Sequence, residues 1–382
     1  MRWARESANL TALAASRKLD VTEEMVTGWE TGTTQPTIAK LRQIASVYRR
    51  SLAVFFLSEP PAGFETLRDF RRVQGAQAGG WSVELHAEFR RALRQREYLL
   101  ELFELEDSTP SKAWAISPLP TTDAVLADHA RTLLVSAMPR GLPRGTDRYV
   151  HLNAWAAALE QLGVLVFATA GGLVKTTEMR ALSLYFEQVP VIVVNGADAP
   201  RGRLFSLLHE YAHLLLHTEG LCDLTNDLAA TDVNQRLEAR CNALAAEILM
   251  PGLAVLARPE VQELLRGDHP LDYRGLAAAA APFGVSAEAM LRRLQVLGRV
   301  SQEYYEARRE EFQQLYEQDR PDSSGGNFYY TTVRDRGREY VRRVTSAHAR
   351  RVIDSYTAAT FLDVKVNQLQ RLAVTAATPD TE

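Results

Sequence analysis

A chain of 382 residues exceeds what one ordinary hydrophobic core serves, and 46% hydrophobic with 24% charged residues is the composition of a folded protein of two or three domains. A formal net charge of −3 excludes general polyanion binding by the chain as a whole, and two cysteines, Cys222 and Cys241, exclude a disulfide framework. Met1-Arg2-Trp3-Ala4-Arg5-Glu6 leads into no apolar segment, and the longest apolar stretch, Leu204 to Leu216, contains His209, Glu210 and His213. The expectation is therefore a cytoplasmic protein without a membrane span.

Taken in chain order, residues 2–58 read as short helices separated by tight turns. Residues 1–58 hold eight Lys and Arg against five Asp and Glu, a local balance of +3 that mildly favours DNA phosphates. Breaks follow at Pro60-Pro61-Ala62-Gly63 and from Gln74 to Gly80. From Trp81 to Glu106 the apolar residues Trp81, Leu85, Phe89, Ala92, Leu99 and Phe103 recur near a helical period, and Pro110, Pro118 and Pro120 then interrupt the pattern. A helix from about Arg148 to Leu162 leads through Gly163 into a strand over Val164-Leu165-Val166-Phe167. Further strands are expected over Ala181 to Phe186 and Val189 to Val194, the latter ending at the turn Asn195-Gly196. The remainder is mainly helical, with a flexible gap expected at Pro321 to Asn327. One short pattern recurs: Leu19-Asp20-Val21, Phe283-Gly284-Val285 and Leu362-Asp363-Val364 each join an Ala-rich helix to another helix, the turn chemistry of a helix-turn-helix. Compact three-helix units use similar turns, so packing is the expected role of the second and third.

The chemistry concentrates at His209-Glu210-Tyr211-Ala212-His213. Histidines four residues apart lie one turn apart on the same helix face, where both imidazoles can bind one ion, and Glu210 sits beside them, rotated by about 100°. Leu204, Phe205, Leu207, Leu208, Leu214, Leu215 and Leu216 make this helix apolar nearly all round, which marks it as buried. Two histidines and a carboxylate in such a helix are costly unless a metal satisfies them. The competing reading is a pair of core histidines. With 8 His in 382 residues, a chance His-Glu-x-x-His is expected in roughly one such chain in a hundred.

A catalytic zinc site takes a third protein ligand and keeps one position open. The next helix, expected over Gln235 to Met250, offers Glu238 and Glu247, on opposite sides of the cylinder. Glu247 shares its flank with Arg236 and Arg240, which need solvent. Glu238 shares its flank with Asn242, Ala245 and Leu249, so Glu238 is the expected ligand, with Asn242 accepting a hydrogen bond from the far nitrogen of a ligand histidine. His217 lies about 12 Å of helix rise from His209 and cannot join the same ion; a structural or surface role is expected for it.

These residues carry a family resemblance. Arg203 to His217, Glu238 to Pro251, and the strand Pro190-Val-Ile-Val-Val-Asn195 resemble the ImmA/IrrE metallopeptidases, strongly over about residues 150–300 and more loosely beyond. Cys241-Asn242 stands where the family has Ala-Asn, a small-residue exchange. The resemblance implies a gluzincin-like peptidase with His209, His213 and Glu238 as metal ligands and Glu210 as catalyst. It implies zinc as the cofactor, with manganese as an alternative, and a protein substrate, typically a transcriptional repressor cleaved at a specific site in a stress or mobile-element response.

Ala14 to Gly32, followed by Gln35-Pro36-Thr37, resembles the XRE-type repressor helix-turn-helix. In that fold Thr22 caps the recognition helix, Val21 and Val26 pack inward, and Leu41, Ile44, Ala45 and Tyr48 complete the bundle. The positions that would face DNA are Thr22, Glu23, Glu24 and Thr27. Glu23 and Glu24 stand where repressors commonly place amide or basic side chains, and carboxylates near phosphates are repelled. DNA and a docked protein are both open as partners of residues 1–60.

The expected fold is α+β and mainly α. Residues 1–60 form a helix-turn-helix bundle, 61–130 a helical linker region, 131–300 a zinc peptidase domain with a small sheet, and 301–382 a helical C-terminal region. The expected function is site-specific endopeptidase action. Its competitor is a DNA-binding regulator whose peptidase-like domain senses a metal or ligand without cutting.

Overall fold

The computed structural model describes residues 1–57, 81–217, 220–222, 232–267, 272–318 and 327–378, apart from positions 7, 9, 49, 51, 121, 144, 146 and 171. The expected breaks at Pro60 to Gly63 and Gln74 to Gly80, and the gap from Pro321 to Gly326, lie outside these residues. The protein is mainly helical with one small sheet. No described helix is long and apolar enough to cross a membrane.

The N-terminal unit comprises α1 (Arg2–Glu6), α2 (Ala12–Leu19), α3 (Glu23–Thr31) and α4 (Ile38–Val47). Thr11, Thr22 and Thr37 cap the last three, each accepting a hydrogen bond from a backbone N–H of the first turn. Leu19, Val26, Trp29, Leu41, Ile44 and Tyr48 share a core of their own. The short α1 is tied to α3 by Arg5, whose guanidinium grips both carboxylate oxygens of Glu30 at 2.6 and 2.9 Å.

After α5 (Val83–Leu105), α6 (Asp123–Ser136) and α7 (Arg148–Gln161) come three strands, β1 (Leu165–Ala168), β2 (Ala181–Leu184) and β3 (Val191–Val194). Next are α8 (Pro200–Leu215), β4 (Gly220–Cys222) and α9 (Asp232–Leu249). The sheet order is β1-β3-β2-β4, with β1 parallel to β3 and the other pairings antiparallel. β4 was not anticipated, because three residues flanked by polar sequence carry no strand period.

Every residue of β1 to β3 is buried, which marks a sheet covered on both faces. Val166, Ala168, Ala181, Ile192 and Val194 face one core with α6 to α9, and with α10 (Gly252–Leu256), α11 (Pro259–Arg266), α12 (Tyr273–Ala280), α13 (Ala287–Val296) and α14 (Gln302–Gln318). Leu165, Phe167, Leu182, Leu184, Val191 and Val193 face a second core. That core is closed by α5 and by α15 (Phe328–Arg336), α16 (Arg338–Ala349), α17 (Ser355–Leu362) and α18 (Leu369–Ala377).

The second layer joins parts of the chain that are distant in sequence. Within the stretch expected as a helical linker region, Trp81 and, on α5, Leu85, Phe89 and Leu102 are buried against the sheet and the C-terminal helices. The two regions are tied by Arg91, which donates to the carbonyl of Asp335, 244 residues away, at 2.5 Å, and by Arg343 on Glu106, 237 residues away, at 2.6 Å. A strand with two buried faces needs two layers, and α5 with the C-terminal helices supplies the second.

Candidate metal centre

α8 begins at Pro200, where the ring's fixed φ suits a first helical turn, and runs as a buried rod behind the sheet. On it His209, Glu210 and His213 are all buried. α9 packs against α8 through Cys241, Leu244, Ala245 and Ile248, which leaves Glu238 and Asn242 on the flank that meets the histidines. His209 Nε2 lies 3.1 Å from Glu238 Oε2, His213 Nε2 lies 3.3 Å from Glu238 Oε1, and the two Nε2 atoms are 3.1 Å apart. Among the described residues, these three form the cluster of potential metal ligands, with all donor atoms within 4.8 Å of one another. A tetrahedral ion with bonds of about 2.0–2.1 Å holds its ligand atoms about 3.3 Å apart, so the spacing fits zinc.

The tautomer of His209 strengthens that fit. Its Nδ1 is 3.0 Å from Asn242 Oδ1, an acceptor, so Nδ1 carries the proton and Nε2 of the neutral ring presents a lone pair. That lone pair faces a carboxylate oxygen and a second imidazole nitrogen. Three donors of electron density turned toward one point call for a cation between them. Burial works to raise the pKa of Glu238, but whenever the imidazoles beside it carry protons their hydrogen bonds outweigh burial and hold the carboxyl down at about 2, and once they do not, a cation must take that place.

Glu210 is wholly buried and reaches β2. Ser183 Oγ donates to its Oε2 at 2.5 Å, while Oε1 has no hydrogen-bond partner. Burial pushes its pKa up to about 7, against the opposing pull of His209 and of the Ser183 hydroxyl. A carboxylate poised there, with one oxygen held and the other open, is suited to taking a proton and giving it back.

Residues 159–295 match the family described as the IrrE N-terminal-like domain, and residues 1–55 match the helix-turn-helix family. The chain carries an IrrE-like domain behind a helix-turn-helix. It is 34% identical over 103 residues to the radiation response metalloprotease IrrE of Deinococcus radiodurans, a match covering 26% of this chain and 29% of that protein. The chain thus aligns with less than a third of that relative's length.

Within the IrrE-like domain, Glu247 stands apart from the centre. It pairs with the buried Arg293 and accepts from the Gly252 backbone N–H, closing the end of α9. His217 also stays outside: it is exposed, in the left-handed region at φ 55°, and stacks on Tyr185 with ring centroids 5.0 Å apart. Ser183 escaped the sequence reading. Its signal was there, a single hydroxyl in the strand Ala181-Leu-Ser-Leu184, because a polar atom in a fully buried strand needs a partner. In the helix-turn-helix, Thr22 caps α3, while Glu23, Glu24 and Thr27 lie exposed along α3.

Proposed function

We propose that the protein is a zinc-dependent endopeptidase that cleaves a protein substrate at a specific site, with a transcriptional repressor as the substrate class. The observation that carries this reading is the convergence of His209, His213 and Glu238 beside the buried, proton-ready Glu210. Zinc, when bound by those three residues, supplies a Lewis acid that polarises the scissile carbonyl and makes water a nucleophile near neutral pH. Glu210 takes the proton of the attacking water and returns it to the leaving amine. Ser183 fixes the Glu210 carboxylate, and Asn242 fixes the ring of His209. The name of the IrrE relative supports the class of reaction, and the N-terminal helix-turn-helix supports a site of action at or near DNA. The test is metal content of the purified protein together with proteomics of cells carrying wild type or Glu210→Gln. Zinc at about one ion per chain and one protein that persists only in the mutant are the expected results. Bound metal with no substrate accumulating would favour a regulator that senses the metal without cutting.

Ser183→Ala tests the proton relay through its pH profile. The Ser183 hydroxyl stabilises the ionised form of Glu210, so its loss raises the Glu210 pKa. The base form is lost as pH falls through that pKa, so the acid limb of kcat/KM should move upward, by about one to two units for a hydrogen bond to a charged group. An unchanged limb would separate Ser183 from the relay.

Glu23 and Glu24 bear on the N-terminal partner. In the full chain, Glu23→Gln plus Glu24→Gln should raise affinity for duplex DNA by about 3–10-fold at low salt if α3 lies on DNA, since two like charges leave the phosphate surface. Unchanged affinity, read by fluorescence anisotropy, would assign α3 to a protein partner.

A further inference from the structure

The turn at Leu362-Asp363-Val364 repeats that of the N-terminal helix-turn-helix in conformation as well as in sequence. Asp20 sits at φ 53°, ψ 58° and Asp363 at φ 52°, ψ 53°, both left-handed. Val21 N–H donates to the Ser16 carbonyl at 3.0 Å, and Val364 N–H to the Ala359 carbonyl at 3.0 Å. Thr11 caps α2, and Asp354 caps α17 at the equivalent position. With the two turns aligned residue by residue, Ala15, Ser16, Leu19, Val26 and Trp29 correspond to Ala358, Ala359, Leu362, Leu369 and Leu372, all buried, while Phe361, Thr375 and Ala376 are buried where Lys18, Gly32 and Thr33 are exposed. The second helices differ at both ends: α18 is entered through a short 3-10 turn, Val366–Gln368, where α3 is helical from its start, and it ends three aligned residues later.

The Gly284 turn does not share this environment. A side chain at Gly284 would strike His151, with Cγ 2.5 Å from the added Cβ, so that turn is packed against α7, and most of α13 is covered. The Asp363 turn is open: its side chain is 83% exposed, and Lys365, Val366, Asn367, Gln370, Arg371 and Val374 are exposed along α18 and its entry.

What the open face presents is the reverse of α3. At the positions equivalent to Thr22, Glu24, Thr27 and Gly28 stand Lys365, Asn367, Gln370 and Arg371. Residues 365–377 contain no carboxylate, and residues 327–378 hold nine Lys and Arg against four Asp and Glu, in a chain of net charge −3. Of the nearby carboxylates, Asp363 is paired with Arg336 at 2.8 Å and Asp354 is engaged as the α17 cap. Arg371 lies over the Tyr329 ring, 4.4 Å from its centroid, which holds the guanidinium plane on the exposed face.

We propose that α17 and α18 form a second helix-turn-helix, which places α18 in the major groove of double-stranded DNA. Lys365 meets a phosphate at the helix entry, while Asn367 in the 3-10 entry and Gln370 and Arg371, one turn further on, reach base edges. Amide side chains read adenine and a guanidinium reads guanine in that groove. A duplex RNA is a poorer occupant because its major groove is too deep and narrow for a helix. The proposal is independent of whether the IrrE-like domain cleaves its substrate.

The full chain is the test object, with a pool of duplexes carrying a randomised core as the probe, selected and then measured by anisotropy. Wild type should enrich a defined sequence. Lys365→Ala, Asn367→Ala, Gln370→Ala and Arg371→Ala together should weaken binding to it by about 30-fold or more, and by less to random duplex. Lys365→Glu alone, at an exposed position that cannot act through packing, should weaken binding by about 10-fold and flatten the salt dependence. Lys112→Ala plus Arg308→Ala, which removes two exposed cations outside residues 327–378, should change affinity by less than about 3-fold. Wild-type affinity in both α18 variants, or no duplex enriched by wild type, would overturn the proposal. Enrichment of RNA or a protein by this face in place of duplex DNA would overturn it equally.

Discussion

Glu210→Gln should retain bound zinc at about one ion per chain while cleavage falls by about 10²–10⁴-fold, the range attributed to a positioned general base. The side chain is buried and is held by Ser183 Oγ at 2.5 Å. Glutamine keeps the shape and can accept the same hydrogen bond through its carbonyl oxygen, so the fold and the metal should survive. What it lacks is a basic oxygen. His213→Ala, by contrast, should lose metal and activity together, because it removes one of three donor atoms. Metal content by mass spectrometry and single-turnover cleavage of the substrate identified by proteomics separate the two variants. Wild-type cleavage by Glu210→Gln would place the base elsewhere.

Glu238→Ala should weaken zinc binding by more than about 10²-fold, whereas Asn242→Ala should weaken it by only about 10–100-fold, the usual range for a residue that orients a ligand. Glu238 bridges both imidazoles, at 3.1 and 3.3 Å, and without it only two protein donors remain. Glu247→Ala should leave metal affinity unchanged. Its cost is in stability, about 1–2 kcal/mol, because buried Arg293 loses its carboxylate partner and α9 loses the contact at Gly252. Competition with a chromogenic chelator measures the first effect and thermal unfolding the second. The reverse pattern would assign the ligand to the other flank of α9.

That both glutamates could be placed from sequence follows from helix geometry. Residues 238 and 247 lie half a revolution apart, and the flank with Arg236 and Arg240 must face water, so only one orientation of α9 satisfies burial. The same logic makes His209 and His213 legible: a four-residue spacing in an apolar helix fixes their common face before any partner is known. Ser183 was less legible, because its partner lies 27 residues away and only strand pairing brings β2 across α8. His217 illustrates the limit in the other direction. Spacing continues the ligand stripe to it, but α8 ends at Leu215 and a left-handed residue turns its ring onto Tyr185.

The sequence by itself determined the local objects: the capped N-terminal helices, the buried strands, the His-Glu-x-x-His helix and the three recurring turns. Each is set by contacts within a few residues, through hydrogen-bonded caps, side-chain periodicity and the φ > 0 position that Asp and Gly tolerate. Only the tertiary structure decided how these objects meet. It set α5 and the C-terminal helices on the far face of the sheet, where Leu165, Phe167 and Val193 need cover. It also divided three similar turns between two fates, the Gly284 turn closed over His151 and the Asp363 turn left open to solvent. Turn sequence specifies a backbone shape, but exposure of that shape depends on what packs beside it, and the residues that pack there are distant in the chain.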